Sequence, residues 1–253
     1  MSEHPLSGAA IDQQRLQETA QAWFAGPLGR LLLESQQALL AEQLDGHFGS
    51  FLLHYSCVGA PPPLRHITHA VRLGPALPGV EMVCAEDAWP VLEHGADLVL
   101  LQHALDFAVS PHRLLREAAR CVRPGGHLLI AGIHPWSLWG LRHWLATDAL
   151  AQARCIAPAR IADWLHLLGF ALEKRRFGCY RPPLRSPRWQ ARLGVIEPWA
   201  DRWQLPGGGF YLLVARKLVA GLRPLPQPRR ATLAPLRAVP VAKVGRHPGR
   251  KES

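Results

Sequence analysis

Residues 96–133 read ADLVLLQHALDFAVSPHRLLREAARCVRPGGHLLIAGI: an apolar run, an amphipathic stretch, a Pro-Gly-Gly break and a second apolar run. Asp97 to Leu101 is apolar after one acid, the pattern of a strand buried on both faces. Ser110 stands where a helix cap is expected, with Pro111 in the first helical position, where its missing amide hydrogen costs nothing. Leu114, Leu115, Ala118, Ala119 and Val122 then share one helical face, and Arg113, Arg116, Glu117 and Arg120 the other. Pro124-Gly125-Gly126 stops the helix, and His127 to Ile133 forms the next strand. Strand, helix and strand with tight joints make a βαβ unit, which predicts parallel strands and a right-handed crossover.

The same texture extends on both sides. Residues 11–45 read as helix, with Leu16, Ala20, Trp23, Leu28, Leu32, Leu39 and Leu40 at near-helical spacing and a break at Gly26-Pro27. Phe51 to Val58 is a strand candidate, and Ala70 to Leu73 and Val80 to Ala85 are weaker ones. Beyond the central unit a helix is expected from Pro158 to Leu168, with Gly169 as a left-handed cap. Two further strands are read at Phe170 to Phe177 and Phe210 to Ala215. Alternating strands and helices predict an α/β, doubly wound sheet. The connection Gly178 to Gly209, with Trp189, Trp199 and Trp203, is long for a hairpin, and long connections in compact domains carry function or motion.

Composition excludes several classes. The chain has 253 residues, 48% of them hydrophobic, with nine Trp, which excludes global disorder. Apolar runs are too short to cross a bilayer, and Met1 to Gln14 is polar, so neither a membrane partner nor a secretory signal is expected. Cys57, Cys84, Cys121, Cys155 and Cys179 lack zinc or redox spacing, so no metal site is expected; an odd count without a leader suggests reduced, cytoplasmic thiols. The formal charge is +10, but residues 223–253 hold eight basic residues and one acid and carry +7 of it. That segment is rich in Pro and reads as a disordered basic tail. The expected divisions are an amino-terminal helical segment 1–45, a domain 46–222 and the tail 223–253.

In an open α/β sheet, ligands sit beyond the carboxyl ends of the strands. Four segments reach that edge: Cys57-Val58-Gly59, Glu86-Asp87-Ala88, Gln102-His103-Ala104 and His134-Pro135-Trp136. Ala96 to Leu105, Leu114 to Ala118 and Val122 to Leu128 resemble the fourth and fifth strands of class I S-adenosylmethionine-dependent methyltransferases of the type 11 group. His134-Pro135-Trp136-Ser137-Leu138-Trp139-Gly140, with Ile161 to Phe170 and Cys179-Tyr180-Arg181-Pro182-Pro183, is similar to a bacterial subfamily with a degenerate first glycine loop. The resemblance runs from about Ala96 to Leu218. It implies a mostly parallel seven-stranded sheet, the Rossmann-like methyltransferase fold, preceded by helices.

The resemblance further implies S-adenosylmethionine as cofactor and an unidentified methyl acceptor. It places Cys57 and Gly59 in the cofactor loop and Gln102 at the cofactor edge, and Glu86 and Asp87 either near the adenine or, on the plainer reading, in a solvated turn. The family's loop is glycine-rich so that backbone amides can approach the cofactor. Here only Gly59 remains, before Pro61-Pro62-Pro63, and no acid stands around Val71 to Gly74 to hold a ribose. His103 is a candidate general base or a hydrogen-bonded structural histidine. Asp106 is read as a base or a helix cap, with capping preferred. His134, Trp136, Trp139 and Arg142 are candidate acceptor contacts; Trp136, Trp139 and Trp144 line a flat pocket or pack in the core, and Arg142 is a solvated arginine or an anion ligand. Methyl transfer needs alignment of an already activated sulfonium more than a catalytic triad. The alternatives are a non-catalytic binding or scaffold protein on the same fold, nucleic-acid contact through the tail, and, remotely, a nicotinamide dehydrogenase, which would need a Gly-x-Gly-x-x-Gly turn the chain lacks.

Overall fold

The computed structural model describes residues 5–59, 61–184, 192 and 207–219; for residues 5–10 it describes the backbone alone. The predicted tail and the tryptophans of the long connection lie outside those residues. Two helices come first, α1 (Pro5–Phe24) and α2 (Pro27–Asp45). There follow β1 (Gly49–Ser56), β2 (Ile67–Gly74), β3 (Met82–Val83), β4 (Ala96–Gln102), α3 (Pro111–Cys121) and β5 (Val122–Ile133). After β5 come α4 (Leu138–Trp144), a 3-10 turn (Ala149–Gln152), α5 (Pro158–Leu167), β6 (Phe170–Gly178) and β7 (Phe210–Lys217).

The strands form one seven-stranded sheet in the order β3-β2-β1-β4-β5-β7-β6. All neighbours are parallel up to β5, and β7 runs antiparallel between β5 and β6. The doubly wound, mostly parallel sheet expected from the sequence is therefore present. Helices α3 and α5 cover one face through Leu114, Leu115, Ala118, Ile161 and Leu165, packed on Leu53, Val99, Leu101, Leu128 and Ile130. On the other face α2 lays Leu40 and Leu44 against Leu52, Leu98, Leu100, Leu129, Leu212 and Val214. Each fully buried Leu on these faces contributes roughly 1.5–3 kcal/mol relative to exposure. No helix among the described residues is long and apolar enough to cross a membrane.

Several boundaries differ from the sequence reading, each for a local reason. Helix α3 stops at Cys121, and Val122 is already extended (φ −68°, ψ 130°), so Val122 pairs with Ala96 rather than completing the helical face. The Pro-Gly-Gly segment then bulges within β5, where the β4 pairing jumps from Ala96↔Val122 to Leu98↔His127. Gly125 has φ +79°, and a side chain at Gly126 would meet the Asp97 carbonyl oxygen at 2.7 Å. Strand β2 begins at Ile67, because its first half is outwardly polar and gives no apolar run. Strand β3 is only Met82–Val83. Ser110 occupies the α3 cap position without a side-chain hydrogen bond. Gly169 has φ +80° and closes the end of α5 as expected. Among the described residues, the connections β1–β2, β2–β3 and β3–β4 contain no helix.

Candidate active site

The carboxyl ends of β1, β4 and β5 meet at one edge of the sheet, and the amino-terminal helices lie across it. Ala20, Phe24, Leu28 and Leu32 pack there with Cys57, Val58, Phe107 and Ile133. On α1 the buried positions Gln13, Gln17, Ala20 and Phe24 recur at spacings of three or four, so one helical stripe faces the edge.

A chain of polar side chains fills the space beneath. His54 Nε2 lies 3.2 Å from Gln102 Oε1, Gln102 Nε2 donates to Gln36 Oε1 at 2.7 Å, and Gln36 Nε2 lies 3.2 Å from His103 Nε2. His103 Nδ1 lies 3.1 Å from Asp106 Oδ2, which also accepts the Ile133 amide at 2.9 Å. Since each glutamine has one donor end and one acceptor end, this order makes His54 the Nε2–H tautomer and His103 the Nδ1–H tautomer. Burial, with the Arg72 charge nearby, lowers the His54 pKa to about 3, so the ring is neutral. Gln13 extends the polar layer by donating to the Tyr55 hydroxyl at 2.8 Å and reaching the Cys84 carbonyl oxygen at 3.4 Å.

The positions named from the sequence take these places. Cys57 is fully buried, its Sγ 3.8 Å from the His103 carbonyl oxygen, and burial pushes its thiol well up. The turn that follows β1 is closed by Ser56 Oγ, which accepts from the Val58 amide at 2.9 Å, and by Arg72, whose guanidinium donates to the Val58 and Pro78 carbonyls at 3.0 Å. A side chain at Gly59 would meet nothing within 4 Å, so that residue faces open space. Glu86 is buried and accepts the Val109 and Ser110 amides at 2.8 Å each. It thereby supplies, at the start of α3, the anion that the Ser110 side chain does not. Burial raises its pKa, and the two amide bonds oppose that rise. Asp87 is exposed and pairs with Arg113 at 3.2 Å.

Gln102 and His103 are both buried in the polar chain. His103 has φ 54°, an uncommon left-handed conformation for a side-chain-bearing residue, and its ring lies 4.7 Å from that of Phe24. Asp106 starts no helix; its carboxylate holds the His103 ring and the Ile133 amide, so the expected cap is replaced by a buried acceptor.

The four acceptor candidates separate. His134 follows β5 with its amide bonded to the Gly209 carbonyl at 3.0 Å and its ring 5.1 Å from Phe177; burial lowers its pKa. Trp139 is core: it packs on Gly209, where no side chain would fit, and its indole donates to the Arg181 carbonyl at 2.9 Å. Trp136 is 80% exposed and joins Leu138, Leu141 and Trp144 around an apolar groove of about 590 Å³. Arg142 faces a different groove of about 440 Å³ beside Trp23, where it pairs with Asp148 at 3.2 Å. Sequence reasoning missed Gln13, Gln17, Gln36 and His54. The one signal for them was their place on stripes whose other members, such as Ala20 and Leu40, are apolar.

The sequence family described as a methyltransferase domain matches residues 57–130, which span the loop after β1, the Glu86 loop and the β4–α3–β5 unit. YafS of Escherichia coli (strain K12), itself uncharacterised, is 30% identical over 161 residues, which cover 61% of this chain and 67% of YafS. Among solved structures, an S-adenosylmethionine-dependent methyltransferase of Thermotoga maritima superposes with a TM-score of 0.55 at 15% identity, covering 81% of this chain and 99% of that one. A methyltransferase solved in complex with the Haloferax volcanii Trm112 activator gives 0.53 at 16% identity, covering 79% and 97%. At these identities the two structures speak for the fold. Taken with the family match and the 3-2-1-4-5-7-6 sheet, they make this chain a member of the class I S-adenosylmethionine-dependent methyltransferases.

Proposed function

We propose that the chain transfers the methyl group of S-adenosylmethionine to an acceptor still to be identified, from a cofactor edge whose glycine loop has departed from the family pattern. The observation that carries the reading is the family match across residues 57–130, which lies on the sheet edge where open α/β sheets bind ligands. The reduction of the loop to Gly59 before a run of prolines supports the departure. The odd count of cysteines, at spacings that suit neither zinc nor redox motifs, supports a cytoplasmic location.

The residues at that edge do not fit the cofactor as they stand. Cys57 and Gln102 are buried beneath α1 and α2, the Glu86 carboxylate is spent on two backbone amides, and the hydrogen-bonding ends of β1 and β4 are taken by glutamines. This filled edge is also what favours the second reading, a binding protein that keeps the fold without catalysis. Calorimetric titration with S-adenosylhomocysteine separates the two. Binding at micromolar to high-micromolar concentration is expected, and absence of heat at millimolar ligand leaves the non-catalytic reading. The proposal includes salt-sensitive nucleic-acid contact through residues 223–253, supported by their +7 charge.

A further inference from the structure

We propose that α4 and the turn before it are a bilayer-surface contact: Trp136, Leu138, Leu141, Trp144 and Leu145 enter the interfacial layer of an anionic phospholipid membrane. The contact goes beyond the methyltransferase reading and does not depend on it.

Helix α4 is amphipathic in the reverse sense. A surface helix of a globular domain ordinarily turns its apolar residues inward and its polar ones outward. Here the polar side chains are spent on the protein. Ser137 caps the helix, donating to the His134 carbonyl at 2.7 Å and accepting the Gly140 amide at 3.1 Å. Arg142 pairs with Asp148 at 3.2 Å, and His143 Nδ1 lies 2.6 Å from the Leu150 carbonyl oxygen. Trp139 and Gly140 are buried and fix the inner face. What remains outside is carbon. Trp136 and Trp144 are 80% and 82% exposed, and Leu138, Leu141 and Leu145 are each more than half exposed. Trp136, Leu138, Leu141 and Trp144 border one groove of about 590 Å³, so this exposed carbon is contiguous, and contiguous patches mark interaction sites.

The occupant follows from shape and charge. A pocket for a small molecule encloses most of its ligand and orients it with a few polar groups. The walls of this groove stand out in solvent, and its Ser137 hydroxyl is already committed. Indole suits the boundary of a bilayer, since its ring enters hydrocarbon while its N–H stays among the headgroups. Residues 134–147 hold no acid, and neither do residues 174–184, which bring Lys174, Arg175, Arg176 and Arg181. The two stretches touch where the Trp139 indole donates to the Arg181 carbonyl. Pairing of the patch with its own copy brings like charges together, whereas anionic headgroups complement them. The net charge of +10 adds the electrostatic signal that firm surface binding needs beside a small apolar area. Apolar runs too short to span a bilayer exclude crossing it and leave open lying on its surface.

The test is co-sedimentation of the full chain with vesicles of phosphatidylcholine alone and of equimolar phosphatidylcholine and phosphatidylglycerol. The wild type is expected to bind the anionic vesicles about tenfold more tightly than the neutral ones, with the preference falling as salt rises. Trp136→Ser/Trp144→Ser is expected to lose about tenfold in affinity for the anionic vesicles, whereas Leu167→Ser, at an exposed leucine on α5, is expected to bind as the wild type does. Both positions of the double variant are exposed, so its unfolding midpoint should match the wild type. Brominated acyl chains read insertion directly in the unsubstituted protein, by quenching its tryptophan fluorescence, and less in the double variant. Absence of wild-type binding, equal binding to both vesicle types, a double variant that binds as tightly as the wild type, or absence of quenching overturns the contact. So does a wild-type dimer in analytical ultracentrifugation that the double variant abolishes, which gives the patch to a second copy.

Discussion

The helices on the two sides of this molecule meet the sheet on different terms. Helix α3 is tied to β4 and β5 by hydrocarbon, and its polar residues turn outward or, like Glu117 and Arg120, pair with each other and with the Trp89 and Val91 backbone. Helix α1 meets the ends of the strands through Ala20 and Phe24 and, beside them, through glutamines, of which Gln17 has no hydrogen-bond partner among the described residues. Carbon contacts reward burial at any geometry that excludes water, whereas amide contacts reward it only when donor and acceptor align. One side is consequently built almost wholly from carbon and the other mixes carbon with amides, and the second lies at the edge where open α/β sheets bind ligands.

The comparison breaks most visibly in the core. Leu114→Ala should cost about 2–5 kcal/mol in urea unfolding, because the side chain is fully buried and leaves a cavity. A loss under about 1 kcal/mol would mean that α3 is no more firmly seated than α1. Acid sharpens the contrast from the polar side. The His54 ring stays neutral in the folded chain down to about pH 3, while in the unfolded chain it takes a proton below about 6.5. Stability is therefore full above pH 6.5 and falls as pH drops towards 3, with a His54 share approaching roughly 1.4 kcal/mol per pH unit. His54→Asn should flatten the acid limb by that slope relative to wild type, and parallel curves would show that the ring is reached by solvent. The smallest effect belongs to the surface. Asp87→Asn should change stability by less than about 0.5 kcal/mol, since both partners of its ion pair are exposed. A larger loss would place Asp87 in the scaffold.

How much of this was legible follows from where each residue's partners lie. Strands β4 and β5 could be read directly, because central parallel strands are covered on both faces and so become unbroken apolar runs. Helix α3 could be read from a face that is entirely Leu and Ala. Strand β2 was read late at Ala70 because Thr68 and His69 point to solvent near the sheet margin. Glu86 could be placed at the ligand edge from its loop, but its binding to the Val109 and Ser110 amides could not, since those lie 23 and 24 residues away. The glutamines show the limit most clearly. In a helical pattern a Gln counts as outward-facing, and nothing local to Gln36 reveals that Gln102 and His103, 66 and 67 residues on, will supply its partners.

By itself, then, the amino-acid sequence determined the alternation of strands and helices, the doubly wound sheet and the edge at which chemistry would sit, because these depend on periodic burial of carbon along short segments. Only the tertiary structure decided what covers that edge. A polar side chain carries no mark of being inside or outside, and its burial is settled by whether a distant donor or acceptor arrives at hydrogen-bonding distance.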